Sequence, residues 1–170
     1  MVQGRSEAQW QHNVAIAMIT LVIVAVDRIT KFYIEEYLEI GETVPVIRGF
    51  FDITRVNNIG AAFGMLKGFN ILFMAAALAV MVLFVYFYSE IVKENYLIIA
   101  SSFILGGTVG NLMDRIYFGY VIDYLNLSFW PTFNLSDAFL TIGVFMLMLY
   151  LWRMKDTTRH VEGHDRYKRY

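Results

Sequence analysis

Cysteine is absent from the 170 residues, which excludes disulfides, thiolate metal sites and a cysteine nucleophile. Proline is nearly absent: Pro45 and Pro131 are the only two, and neither falls inside a long apolar stretch. No internal repeat or low-complexity linker is visible. Walker and dinucleotide-binding motifs are missing, and neither a cofactor nor a nucleic-acid partner is expected. An excess of charge of one sign is lacking as well. The formal net charge is −1, and it says nothing about partners because the charges are segregated along the chain. Any hydrolytic chemistry must come from carboxylates, hydroxyls, lysines or the three histidines. Two of these, in His160-Val161-Glu162-Gly163-His164, stand four apart. They lack the H-E-x-x-H order and sit in a charged tail, so no metal is expected there.

What is abundant is apolar sequence. Hydrophobic residues make up 58% of the chain, more than a soluble domain of this size usually carries. Four stretches approach the roughly 20 residues that cross a bilayer as helix: about 14–33, 69–88, 96–113 and 135–152. Trp10, Tyr33, Tyr88, Tyr96 and Trp152 at their ends suit anchoring at the membrane–water interface. The first stretch has the apolar length of a cleaved signal peptide, but Asp27 stands where a small-residue cleavage site would be needed. It is expected to be retained. The expected fold is one α-helical integral membrane domain over residues 1–170, with four transmembrane helices and a small extracytoplasmic β-sheet.

Orientation follows from basic residues beside the membrane. Arg153, Lys155, Arg159, Arg166, Lys168 and Arg169 in the tail 153–170 argue for a cytoplasmic C-terminus and for attraction to anionic membrane lipid. An even number of spans then places the N-terminus inside too. Segments 34–68 and 116–134 lie outside. Within the first, residues 43–47 and 51–56 are rich in β-branched and aromatic residues, with Gly49 between them. Pro45 suits an edge strand, and Asn57-Asn58-Ile59-Gly60 reads as a turn. A small sheet within about 37–66, resting on the membrane surface, is expected. Glu35, Glu36, Glu39 and Glu42 are read as a solvated face.

Ionisable groups in or beside apolar spans are costly and are functional candidates by default. Asp27 lies near the end of span one, Asp114 and Arg115 at the end of span three, Asp137 at the start of span four, and Asp123 in the link before it. The topology places all of them at the outer ends of their spans. Two carboxyls facing each other across a short link would share one proton, because like charge raises one of the two pKa values. The ionised member can deprotonate a water attacking a peptide carbonyl, while the protonated member polarises the carbonyl oxygen. Each acid also has an ordinary explanation. Asp137 can complement a helix dipole, Asp123 can be a loop acid, Asp114 can pair with Arg115, and Asp27 can pair with Lys31 four residues on. Gly106, Gly107 and Gly110 are read as helix-packing residues. Phe69, Phe73, Met74, Met81 and Phe84 in span two are read as lipid-facing or packing residues.

Five motifs in these places resemble those of the lipoprotein signal peptidases (signal peptidase II). Asp27-Arg28-Ile29-Thr30-Lys31 resembles D-Q-x-x-K, and Asn58-Ile59-Gly60-Ala61-Ala62-Phe63 matches N-x-G-A-A-F. Gly110-Asn111-Leu112-Met113-Asp114-Arg115 matches G-N-x-x-D-R. Val121-Ile122-Asp123-Tyr124 resembles V-x-D-[FY], and Phe133-Asn134-Leu135-Ser136-Asp137 matches F-N-x-[AS]-D. The resemblance spans nearly the whole chain and implies a membrane aspartic peptidase with Asp123 and Asp137 as its dyad. It puts Asn58, Gly60, Asn111, Arg115 and Asn134 around substrate and dyad, with Asp27 and Asp114 in support. Arg28 departs from the pattern, standing where glutamine is usual.

The implied substrates are lipid-modified prolipoproteins, cut before the diacylglyceryl-cysteine at the outer face of a bacterial inner membrane. A monomer without metal or cofactor is expected. Two other functions use the same acids differently. A coupled transporter would want them near the bilayer midplane with paired, interrupted helices, a pattern not seen here. A non-catalytic scaffold would use them only to stabilise helix ends.

Overall fold

The computed structural model describes residues 2–60 and 70–167. Its order is α1 (Val2–Tyr37), β1 (Thr43–Ile47), β2 (Phe51–Asn58), α2 (Asn70–Ile91), α3 (Asn95–Tyr117), β3 (Val121–Leu127) and α4 (Leu135–Tyr167). Four segments of these helices, Gln9–Tyr37, Asn70–Ile91, Asn95–Tyr117 and Leu135–Lys155, are long and apolar enough to cross a membrane. Those of α1 and α4 bury little of themselves within the protein and that of α2 almost nothing, whereas α3 is about half buried. A helix apolar all round and unburied in a folded chain has lipid as its natural solvent.

The helices outrun the apolar stretches. Span three continues through Tyr117, and α4 runs on into the basic tail as far as Tyr167. Apolarity marks only the part of a helix that sits in lipid, whereas hydrogen bonding continues until a stop signal. For α3 that stop is Gly119, whose positive φ lets its N–H return to the Arg115 carbonyl at 3.2 Å. The α2–α3 connection is short, residues 92–94.

α3 is the central helix, packing most extensively on α4, then α1, then α2. The sequence-predicted packing role of its glycines holds. A Cβ on Gly107 would lie 2.9 Å from the Leu140 backbone nitrogen, and one on Gly110 would lie 2.8 Å from Asp27 Oδ2. Gly143 on α4, not foreseen, lies against the Ala100 carbonyl in the same way. Bare backbone at these points lets helices approach closely where lipid offers no hydrophobic drive for their association.

The sheet is antiparallel in the order β1-β2-β3. β1 matches the predicted first strand and is the edge strand, where Pro45 leaves no central ladder bond unmade. Gly49, at positive φ, makes its turn into β2. Two features correct the sequence reading. β2 extends to Asn58 rather than stopping at Val56, because Asn57 and Asn58 pair with Ile122 and Val121. The link between α3 and α4 holds a third strand, β3, where the sequence reading expects only a short link. Its residues 121–124 are buried on both faces, so no alternation of apolar and polar residues marked it.

Candidate functional site

Each of the predicted polar residues that the structure describes sits where the C-terminal ends of α1 and α3 and the N-terminal end of α4 meet the sheet. Their arrangement starts at the N-terminus of α4. Asn134 caps that helix: its Oδ1 accepts from the Asp137 N–H at 2.9 Å, and Asp137 Oδ2 accepts in return from the Asn134 N–H at 3.3 Å. This reciprocal capping pair satisfies N–H groups that a helix start leaves without partners. Asp27 of α1 takes a further one, the Ser136 N–H, at 3.1 Å. The helix-end explanation for Asp137 is thus true, and the same geometry fixes its carboxyl in space.

Asn134 also reaches the other predicted acid. Its Nδ2 donates to Asp123 Oδ1 at 2.7 Å and to Asn111 Oδ1 at 3.0 Å. Asn111 Nδ2 donates to Asp137 Oδ1 at 2.7 Å. Asn58 Nδ2 donates to Asp123 Oδ2 at 2.7 Å, while its Oδ1 accepts from the Gly60 N–H at 2.9 Å. Every amide in this set is oriented by what its oxygen accepts. Asp123 and Asp137 are brought to one place by Asn134, which touches both. Burial and the charge of Asp137 push the Asp123 carboxyl up to about 7, against the opposing effect of the Asn58 and Asn134 donors.

Beneath this set lies a cluster of four charges. Lys31, 1% exposed, gives its three protons to Asp27 Oδ2 at 2.9 Å, Asp114 Oδ2 at 2.7 Å and Asn111 Oδ1 at 3.1 Å. Arg28 bonds Asp114 Oδ1 and lies 3.3 Å from Asp27 Oδ2. The same-face pair of Asp27 and Lys31 is therefore present. Asp114, however, pairs with Lys31 and Arg28 and not with its neighbour Arg115. Consecutive helical residues point about 100° apart, and Asp114 faces α1. Its Oδ2 also accepts the Ile122 N–H at 3.3 Å, next to Asp123. Arg115 instead donates to the Asn111 carbonyl at 3.3 Å and lies 4.9 Å above the Phe73 ring of α2.

Other positions were missed. Tyr124 donates to Thr30 Oγ1 at 2.9 Å, tying β3 to α1, and its burial pushes the phenol up to about 12. Arg55 of β2 caps the C-terminal end of α1 through the Glu35 and Leu38 carbonyls, both at 2.9 Å. It also draws Glu35 out of the predicted solvated face, at 3.5 Å. The F-N-L-S-D run carries a capping signal that points to the Asn134–Asp137 pair; the Tyr124 and Arg55 clamps join residues far apart in sequence. Of the span-two aromatics, Phe73 stacks on Arg115, while Phe84 lines an apolar groove with Ile16, Leu21, Val24 and Leu105. Ala61, Ala62, Phe63 and Phe69 lie outside the described residues, as do the side chains of His160 and His164.

A family model described as signal peptidase (SPase) II matches residues 19–153. The chain belongs to the signal peptidase II family. This makes it a peptidase, in an aspartic family. It is 37% identical over 138 residues to a lipoprotein signal peptidase of Halothermothrix orenii, covering 81% of this chain and 95% of that one. A lipoprotein signal peptidase of Syntrophotalea carbinolica is 40% identical over 151 residues, with 84% and 92% covered. The fold is similar to that of a bacterial membrane enzyme solved by the in meso method at 2.3 Å resolution. That similarity has a TM-score of 0.75 at 32% identity, over 85% of this chain and 90% of that one. As a signal peptidase II the chain is a multi-pass bacterial membrane protein, and the four apolar helices carry its polar site at one end.

Proposed function

We propose that Asp123 and Asp137 are the catalytic dyad of this peptidase, and that it removes the signal peptide from lipid-modified prolipoproteins by cutting before the lipidated cysteine. The observation that carries this reading is the convergence of both carboxyls on Asn134, each held by amide donors within one buried polar site. The dyad shares one proton. Its ionised member takes a proton from a water whose oxygen attacks the scissile carbonyl carbon, and its protonated member donates to the carbonyl oxygen. Collapse of the tetrahedral adduct breaks the C–N bond, and the proton taken from water passes to the leaving amine. The products are a signal peptide ending in a carboxylate and a lipoprotein beginning with the amine of its modified cysteine.

Asn58, Asn111 and Asn134 hold the two carboxyls in the orientation that traps this water. Arg115 offers its remaining N–H groups to a substrate oxygen. Gly60, buried after the Asn58 turn, supports the loop beside Asp123. The enzyme acts as a monomer in the inner membrane, with both termini cytoplasmic and the site at the outer face, an orientation supported by the basic residues after Trp152.

The test is incubation of the detergent-purified protein with a lipidated precursor peptide. Wild type releases the leader fragment; Asp123→Asn and Asp137→Asn, each inserted normally, release none. Turnover by either variant removes the dyad assignment.

A further inference from the structure

The far end of the sheet carries a cluster of exposed aromatic rings. The turn joining β1 to β2 closes through the Phe50 N–H on the Ile47 carbonyl at 3.0 Å, with Gly49 at positive φ. The turn after β3 closes in the same way, the Trp130 N–H reaching the Leu127 carbonyl at 3.0 Å. Ser128 fuses the two turns into one tip: its N–H donates to the Phe50 carbonyl at 3.1 Å and its Oγ to the Gly49 carbonyl at 2.8 Å. Phe50, Phe129 and Trp130 stand on this tip, all of them exposed, and the Phe50 and Phe129 ring centroids lie 6.0 Å apart. Water disfavours such a patch, and hydrogen bonds within the tip keep its turns from folding the rings inward.

Charge says what covers it. Glu35, Glu36, Glu39 and Glu42 gather where α1 gives way to β1. The cation at the tip, Arg48, is exposed and has no ion pair among the described residues, not even with Asp52 four residues on. Aromatic rings beside an unpaired arginine suit a membrane interface: the rings enter the boundary of headgroups and acyl chains, and the guanidinium meets phosphate. The position fits as well. β3 begins four residues after α3 ends at Tyr117, a reach of at most about 14 Å, so the sheet starts close to the membrane surface. Phe51 pairs with Leu127 and Val56 with Asp123. At about 3.3 Å per residue, the tip lies roughly 17 Å along the strands from the polar site.

We infer that the tip formed by Arg48, Phe50, Phe129 and Trp130 is a second membrane anchor, inserted among the phospholipids of the leaflet nearest the polar site. The rings sit where headgroups meet acyl chains, and Arg48 sits on a lipid phosphate. The sheet that carries Asn58 and Asp123 is then held at both ends, by helices at one and by lipid at the other. The inference stands apart from the dyad reading, since it concerns where the sheet lies and not what its acids do.

The test places the full chain in vesicles of phosphatidylcholine and phosphatidylglycerol, with Trp130 as the only indole. Trp10→Phe and Trp152→Phe remove the other two, both exposed, so packing is kept. Trp130 should emit at shorter wavelength than indole in water. Lipids brominated high on the acyl chain should quench it by roughly twofold or more, the response of an interfacial ring, while aqueous iodide quenches little. Phe50→Ser with Phe129→Ser, and separately Arg48→Glu, should weaken the quenching by bromolipid and raise that by iodide. Quenching by iodide alone would put the tip in water and overturn the inference. So would quenching by neither, which would mean that protein covers the tip, and so would quenching that neither set of substitutions changes.

Discussion

At the residue scale, the site is a set of carboxyls held by amides. Asp123 is pushed up to about 7 by burial and by the charge of Asp137. A dyad that works with one shared proton loses it as pH rises through this value, so turnover is expected to fall above about pH 7 in a rate–pH profile. Asn58 opposes the rise by donating to the ionised form. Asn58→Leu should therefore move the basic limb of that profile upward while lowering the maximal rate; an unmoved limb contradicts the assigned hydrogen bond. Stability carries the same sign. An acid whose folded value lies above its ordinary 3.8 binds more protons folded than unfolded between 3.8 and about 7. Its contribution thus declines across that window as pH rises. Thermal melts of wild type in detergent should show this decline, and Asp123→Asn should lack it. Phe73 has a separate part. Removing its ring in Phe73→Leu forfeits a cation–π contact worth about 1 kcal/mol, and KM should rise by roughly fivefold with kcat little changed, Phe73→Tyr behaving as wild type.

Single residues act here because elements hold them. The start of α4 is gripped from three sides: by its own Asn134 and Asp137, by Asp27 of α1, and by the close approach of α3 at Gly107 and Gly110. The glycines differ in what an added methyl would meet. At Gly107 it would meet the Leu140 backbone nitrogen at 2.9 Å and the Ser136 carbonyl closer still; at Gly106 it would meet the Ile23 Cγ2 and Cβ at 2.7 and 2.8 Å. Alanine also favours helix over glycine by up to about 1 kcal/mol. Gly106→Ala should therefore melt below wild type but above Gly107→Ala, because the stiff Ile23 side chain must shift while the propensity gain offsets part of the cost. Gly107→Ala should be destabilised by roughly 1–3 kcal/mol, the usual cost of overpacking. Equal melting temperatures for the two would show that α3 and α4 separate more readily than their packing implies. The element the sequence hid was β3, because burial on both faces removes the alternation that betrays a strand. The element it showed best was β1, whose proline and β-branched residues suit an exposed edge.

For the whole molecule, orientation is the open property and the missing cysteine makes it measurable. Single cysteines introduced at Glu39 and Glu94, both exposed and at opposite ends of the bundle, can be labelled in intact cells by a membrane-impermeant maleimide. Labelling at position 39 and protection at position 94 is expected; the reverse pattern would turn the site toward the cytoplasm. The general plan could be read from the chain. Span number and approximate place are properties of apolar length, one helical residue advancing 1.5 Å, and length is written along a single dimension. The motifs likewise pointed to the acids and asparagines without any coordinates. Partnership could not be read that way. Whether Asp114 meets Arg115, its neighbour in sequence, or Lys31 and Arg28 on another helix depends on how α3 is rotated against α1. That rotation is set by glycines that admit backbone and by buried charges that must be balanced. The tertiary structure alone decided that Asn134 would join two carboxyls and that Lys31 and Arg28 of α1 would pair with Asp114 beneath them. Burial makes the pairing of charges a condition on residues brought together in space, wherever they stand along the chain.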